Sequence, residues 1–170
     1  MGNFFTSSGA SFSGENKEYR DILWRLWDDK QRPLIFIGLN PSTADAETDD
    51  PTVHTLTVRA RREGFGGLVV MNLYSFRATE PKDLLKQKDP VGPENHKTLL
   101  RFITKNHEVL AGWGDSLPDK HRANRVINLL VSTKAKLTTL GFTKADNPRH
   151  PLYIRITSPR QPWRPWSLPV

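Results

Sequence analysis

The chain has no cysteine in its 170 residues. Disulfides, thiolate nucleophiles and thiolate metal sites are therefore excluded, and the composition suits a reducing cytosol. No apolar run approaches the roughly 20 residues that cross a bilayer. No secretory pattern opens the sequence, so a cytoplasmic protein without membrane attachment is expected. Met1-Gly-Asn-Phe-Phe-Thr6 formally fits an N-myristoylation pattern, most of whose positions are unconstrained. Also lacking are a Gly-x-Ser-x-Gly elbow, a Walker loop and a Gly-x-Gly-x-x-Gly fingerprint. Gly64-Phe65-Gly66-Gly67 comes before an apolar run, the wrong side for cradling a phosphate. His54, His96, His107 and His121 show no metal-ligand spacing, and neither metal nor cofactor is expected. Acidic residues are in deficit, 18 against 25 Lys and Arg, which leaves a net charge of +7 and a pI near 9.9. That charge favours anionic partners, nucleic acid first among them. No obligate protein partner is implied.

What is present is an alternation. The length suits one domain with a substantial core. A loose Ser/Gly-rich segment is expected over 1–16, with a short strand at Ala10–Phe12, then one α/β domain over 17–156 and a tail over 157–170. Tyr19–Trp27 fits both a helical stripe and strand alternation. The polar turn Asp28–Arg32 then suits a hairpin into a buried strand, Leu34–Leu39. Asp50-Pro51 predicts a helix start, because Asp caps free N–H groups and Pro fits the first helical position. That helix runs to about Glu63 and stops at Gly64. Further strands are expected at Leu68–Tyr74, Glu108–Trp113 and Leu137–Leu140. Helices are expected from Pro81, from Pro93 to about Asn106, and from Pro118 to about Ser132.

Strands alternating with helices at this spacing predict a parallel sheet between helices. Right-handed crossovers gather the strand-to-helix loops on one edge, where ligands of such sheets sit. That edge collects Asn40–Asp50, Asn72–Thr79, Gly112–Asp115 and Gly141–His150. Asn40 follows a buried strand and precedes Pro41, and its amide can orient a water or read a base edge. Asn72 ends the second strand among apolar neighbours, and a buried amide must find partners. For both, a plain loop-tying role is the alternative. His150, held between Arg149 and Pro151, can stabilise a leaving anion. Ser42 has no evident paired base. Asp45 is either catalytic or a loop cap, and Asp50 reads first as the helix cap. In the tail, Arg160, Trp163, Arg164 and Trp166 either hold phosphates and stack on bases or dock on their own domain.

GLNPSTAD, DDPT, VVMNLYSFRATEP, DPVGPEN, AGWG and NPRHPLY stand in this order. Together they resemble a bacterial and phage family, the domain of unknown function DUF1643, over about Ala10 to Ile154. The same motifs are more distantly similar to the uracil-DNA glycosylase superfamily. That resemblance implies a three-layer α/β/α sandwich with a short central parallel sheet. It also implies a protein that recognises, and excises, a modified or deaminated base in DNA. Gly38, Asn40 and Pro41 match the motif whose residue positions water, so Asn40 becomes a catalytic candidate. Asn72 and Arg77 match a base-recognition segment, and His150-Pro151 matches the late motif whose His steadies the departing base. Leu152-Tyr153 replaces the usual Ser-Pro there. The implied base-binding set is Gly38, Leu39, Pro41, Ser42, Asn72 and Tyr74. A basic surface of Arg59, Arg61, Arg62, Arg77, Lys82 and Arg149 would hold DNA phosphates; the alternative is that these charges are solvated helix faces. A non-catalytic DNA or modified-base binding module and a nucleotide- or nucleoside-processing enzyme are the rival functions.

Overall fold

A computed structural model describes residues 7–165. A seven-stranded mixed sheet runs through it in the order β1-β2-β4-β3-β5-β6-β7. The strands are β1 (Ser7–Ser13), β2 (Tyr19–Leu26), β3 (Pro33–Gly38), β4 (Gly67–Asn72), β5 (Glu108–Ala111), β6 (Lys136–Thr139) and β7 (Gln161–Pro162). The helices are α1 (Pro51–Arg62), α2 (Asn95–Phe102) and α3 (Lys120–Ser132), with 3-10 turns at Pro81–Lys86 and Pro151–Tyr153.

The centre is parallel, as the alternation predicts: β3 pairs in parallel with β4 and β5, and β5 with β6. The strands' apolar runs explain why. Leu34 and Phe36 of β3 pack into one cluster with Val53, Leu56 and Ala60 of α1. Ile35 and Ile37 pack into the other with Leu99 of α2 and Val126 and Leu130 of α3. A strand buried on both faces reads as a continuous apolar run, with alternate side chains going to opposite clusters. Each such fully buried aliphatic side chain contributes about 1.5–3 kcal/mol. The helices therefore cover both faces, α1 on one and α2 with α3 on the other.

The edges depart from a purely parallel sheet. β2 pairs antiparallel with β4 and with β1, and β7 pairs antiparallel with β6. Tyr19–Leu26 is thus a strand, which resolves its ambiguous periodicity. The first strand is also longer than Ala10–Phe12, so residues 7–13 join the sheet rather than lying loose. No hairpin forms at Asp28–Arg32, because β4 lies between β2 and β3. The connection instead crosses the start of β4. Gly66 accepts hydrogen bonds at its carbonyl from Trp27 and Asp28 N–H, both 2.9 Å, and donates its own N–H to Arg32 O at 3.0 Å. A Cβ at Gly66 would lie 2.1 Å from Asp28 O, so only glycine permits the crossing.

α1 begins as expected: the Asp50 carboxylate accepts from Val53 N–H at 2.8 Å, and Pro51 opens the helix. α2 is shorter than expected, ending at Phe102. In the tail, Trp163 packs edge-on to Trp113 and Phe142, with centroids 5.7 and 6.0 Å away. Arg160 bonds Glu63 and Glu108 across the sheet end. These two residues therefore dock on their own domain. Arg164 is exposed. Trp166 and the Met1–Thr6 pattern lie outside the described residues. Among the described residues no helix is long and apolar enough to cross a membrane.

Candidate functional site

Among the parallel strands, β3 lies between β4 and β5. β3 connects through α1 to β4 on one side, whereas its neighbour β5 connects through α3 to β6 on the other, which makes the adjoining carboxyl ends of β3 and β5 a topological switch point. Ligands of open α/β sheets bind at such points. A cleft of about 290 Å³ opens there. Gly38, Leu39, Asn40 and Ser42 line it from β3 and its loop, Asn72 from β4, Trp113 and Asp115 from the loop after β5, and His150 and Tyr153 from the late loop. The two polar clusters far apart in sequence thus share one cavity. Asp115 joins their loops by accepting from Thr143 Oγ1 at 2.6 Å and Asn147 Nδ2 at 2.8 Å, and those two bonds hold its carboxyl below the usual range. Gly114 N–H donates to Pro148 O at 2.9 Å.

Two glycines make room for the Phe36 and Asn72 side chains that line the cleft. A Cβ at Gly38 would lie 2.8 Å from Asn72 Oδ1 and 2.9 Å from the Phe36 ring, and one at Gly112 would lie 2.7 Å from that ring. Gly38 and Asn72 are direct register partners, which sets the Asn72 amide beside the loop that carries Asn40.

The Asn40 amide is fixed by two carbonyls. Its Nδ2 donates to Pro41 O at 2.9 Å and to Ala78 O at 2.8 Å. Both N–H donors are then used, and Oδ1 accepts nothing among the described residues. The group left for a ligand is an acceptor, suited to a water's O–H. Asn72 is the opposite case. It is 4% exposed and its Nδ2 has no partner. A buried amide left unpaired costs about 1–3 kcal/mol, which makes this donor a candidate partner for a ligand's acceptor. Its backbone is fixed from behind: Asn95 Nδ2 donates to Asn72 O at 3.0 Å and to Ser75 Oγ at 2.9 Å, and Arg122 bonds Asn95 Oδ1 and Leu73 O.

His150 caps the short turn that follows it, with Nδ1 accepting from Leu152 N–H at 3.4 Å. The ring's own proton then sits on Nε2. Burial holds the imidazole below its ordinary value, with Asp50 acting weakly against that. A neutral ring donating from Nε2 can steady a developing anion. The same shift makes stability pH-dependent. The unfolded histidine titrates near 6.5 and the folded one lower, so the unfolded chain takes the proton first. The contribution is complete above about 6.5 and is lost as pH falls through the folded value. His107 has a lowered value too, so the test is comparative. Between about pH 8 and about pH 5, the wild type is expected to lose more denaturant resistance than His150→Phe. Parallel losses in the two proteins would contradict this assignment.

The remaining sequence-derived residues divide. Asp50 lines the cleft and caps α1 with one oxygen. Asp45 caps its own loop, accepting from Glu47 and Thr48 N–H at 2.9 and 2.8 Å, bonds that lower its value; it is not a cleft residue. Pro41, expected in the base-binding set, does not line the cleft; its carbonyl holds the Asn40 amide and accepts from Ala78 N–H at 3.0 Å. Tyr74 does not face the cleft. β4 ends at Asn72, the two-residue alternation ends with it, and Tyr74 packs in the opposite cluster beside Leu84 and Arg122.

The basic set also needs correction. Arg59 is 1% exposed and its guanidinium holds Glu63, Arg155 O and Ser158 O, so it is withdrawn from any DNA surface. Arg62 is exposed, but α1 rises about 1.5 Å per residue, which carries Arg62 about 14 Å beyond Val53 at the cleft. Arg61 lies over the Trp27 ring, 4.1 Å from its centroid. Arg77 is half-buried over the Phe12 ring. Lys82 is exposed beside Pro81, which lines the cleft, and Arg149 is exposed beside His150. Sequence reasoning missed Arg20 and Trp113, both buried in the cleft wall, and Asn95 behind Asn72. Trp113 and Asn95 stand inside quoted motifs, AGWG and DPVGPEN; Arg20 carried no signal.

The family model described as "Protein of unknown function (DUF1643)" matches residues 20–152. No curated protein and no solved structure matches the chain.

Proposed function

The chain belongs to the DUF1643 family, and on that footing we propose that it recognises a modified or deaminated base in DNA and excises it by hydrolysing the N-glycosidic bond. The observation that carries this reading is Asn72, a buried and unpaired amide in the same cleft as Asn40 and His150. An amide presents a donor and an acceptor in one plane, the pattern that reads a base edge. The helices on both sheet faces and the motifs at the strand ends support a three-layer, uracil-DNA glycosylase-like arrangement.

The base leaves the duplex and enters the cleft. Asn72 bonds its edge. A water held by Asn40 Oδ1 approaches the anomeric carbon of an oxocarbenium-like sugar. The carbon–nitrogen bond breaks with its electron pair on the base, and His150 Nε2–H steadies the resulting anion. The water's oxygen bonds the sugar, and its proton passes to Asp50 or to solvent. Leu152 and Tyr153, 43% and 84% exposed beside the cleft, are apolar groups able to fill a vacated stack. Arg77, Lys82 and Arg149 supply phosphate contacts.

A non-catalytic binding module is the second reading. What favours it is that the cleft's carboxylates already carry structural bonds: Asp115 holds two side chains and Asp50 caps α1. Both readings share recognition, which fluorescence anisotropy tests. Duplex affinity is expected to fall steeply with salt, and Arg77→Ala to reduce the log–log salt slope by about one. Asn72→Ala is expected to erase about tenfold preference for a modified base while leaving non-specific affinity intact. Salt-insensitive binding of free nucleosides alone would replace both readings with a nucleotide- or nucleoside-processing enzyme.

A further inference from the structure

Arg20 takes no part in the proposed excision. It is the second residue of β2, is 3% exposed and lines the cleft. Its Nη1 donates to Ala44 O at 2.7 Å, and its Nε has no partner. Among the described residues no carboxylate lies within ion-pair distance of it. Asp50 and Asp45 act on it only through space, and Arg77 and Arg25 oppose them. Burial draws the guanidinium down to about 10, so it remains charged at neutral pH. A buried charge is ordinarily paired. This one is buried and unpaired at the wall of a cavity.

It is not alone in wanting an acceptor. Asn72 Nδ2 and Trp113 Nε1 are also buried and unpartnered, and both residues line the same cleft. All three are N–H donors. The buried unmet groups of the lining residues are thus all donors, with Asn40 Oδ1 the free acceptor of the less buried part of the cleft, and the buried set suits an acceptor-rich ligand. Two of these donors are neutral and suit the oxo or ring-nitrogen acceptors of a base. The third is a planar cation, the group that best matches a phosphate.

We propose that Arg20 holds a phosphate of the nucleotide whose base the cleft receives. This rests on the reading that the cleft takes a nucleotide base. The phosphate can belong to a free nucleotide or to the DNA backbone, and the cleft chemistry is the same for both.

Isothermal titration of the full-length chain separates the possibilities. Nucleosides, their 5′-monophosphates and inorganic phosphate form one arm. Duplexes carrying a modified base, with either natural or neutral methylphosphonate linkages flanking it, form the other. In the wild type, a phosphate is expected to gain about tenfold or more over its neutral counterpart in at least one arm. Gain in the first arm identifies a free nucleotide, and gain only in the second identifies the DNA backbone. Arg20→Gln is expected to abolish the gain while leaving nucleoside or methylphosphonate binding in place, and Arg20→Lys to keep part of it. Phosphate binding lost in Arg20→Gln, with no binding of any nucleoside or modified base, would keep Arg20 as a phosphate contact but sink the base reading, and with it the claim that the phosphate belongs to a nucleotide held by its base. Equal wild-type affinity for charged and neutral counterparts in both arms would overturn the inference, as would an undiminished gain in Arg20→Gln. Should Arg20→Gln fail to fold, the wild-type comparison together with Arg20→Lys decides.

Discussion

Asn40→Ala is expected to slow base release by about 100- to 1,000-fold while leaving DNA binding nearly unchanged. The large effect follows from how the side chain is held. Donation to Pro41 O and Ala78 O fixes the amide plane and leaves Oδ1 as the free atom in the cleft. On the proposed reading, removing it removes the acceptor that orients water, and a misplaced water loses its line of attack. The fold should tolerate the change, because Pro41 O keeps the Ala78 N–H and water can reach the half-buried Ala78 O. Asn40→Asp is the sharper variant. A carboxylate is a stronger base than an amide, yet it would set an anionic oxygen against two carbonyl oxygens that now receive N–H donors. It is therefore expected to disturb the loop and not to raise the rate. Single-turnover kinetics on the excised substrate checks both variants. A faster Asn40→Asp enzyme would show that the two carbonyls do not constrain this position.

Arg59→Ala is expected to cost about 3 kcal/mol or more of stability and to leave the salt dependence of DNA binding untouched. The guanidinium is fully buried. Nη1 donates to Glu63 Oε1 at 3.0 Å and to Ser158 O at 2.7 Å, and Nη2 donates to Arg155 O at 3.0 Å. Truncation strands two carbonyls of the C-terminal strap and half of a charge network. That network continues through Glu63 to Arg160, then to Glu108 and Lys136. Arg59→Lys should recover little, since one ammonium cannot match a planar fork with three acceptors in different directions. Urea denaturation reads the loss. A variant within about 0.5 kcal/mol of wild type but with a shallower salt slope would return Arg59 to the DNA surface.

The contrast between Arg59 and Asn40 shows what was legible in the chain. β3 and β4 could be read directly, because strands buried on both faces are short continuous apolar runs. Asp50-Pro51 marked the start of α1 for a local reason, a cap and a fixed φ. Once strands alternated with helices, Asn40, Asn72 and His150 had to fall on one edge, and they line one cleft. Tyr74 is implied only by the resemblance; β4 stops at Asn72, two residues short of the expected strand end, and Tyr74 turns to the opposite cluster. The burial of Arg59 is legible in the helix period. The residue lies three residues after Leu56 and one before Ala60, on the stripe that α1 buries, yet its charge suggested solvent. The order of the sheet was not readable. Tyr19–Leu26 fits two periods, and its pairing with β4 rather than β3 is a non-local contact that no local signal encodes. Arg20 was silent for the same reason, since its burial depends on Ala44, a residue in a distant loop.

Excision itself is decided by one assay. The purified chain is incubated with duplex and single-stranded oligonucleotides carrying uracil, hydroxymethyluracil, hypoxanthine or only normal bases, and hot alkali then reveals abasic sites. Strand breaks at one modified base, absent with Asn40→Ala, are the expected result and would name the substrate. Intact strands on every oligonucleotide, with salt-sensitive binding retained, would contradict excision of these bases and leave the cleft as a site of recognition alone.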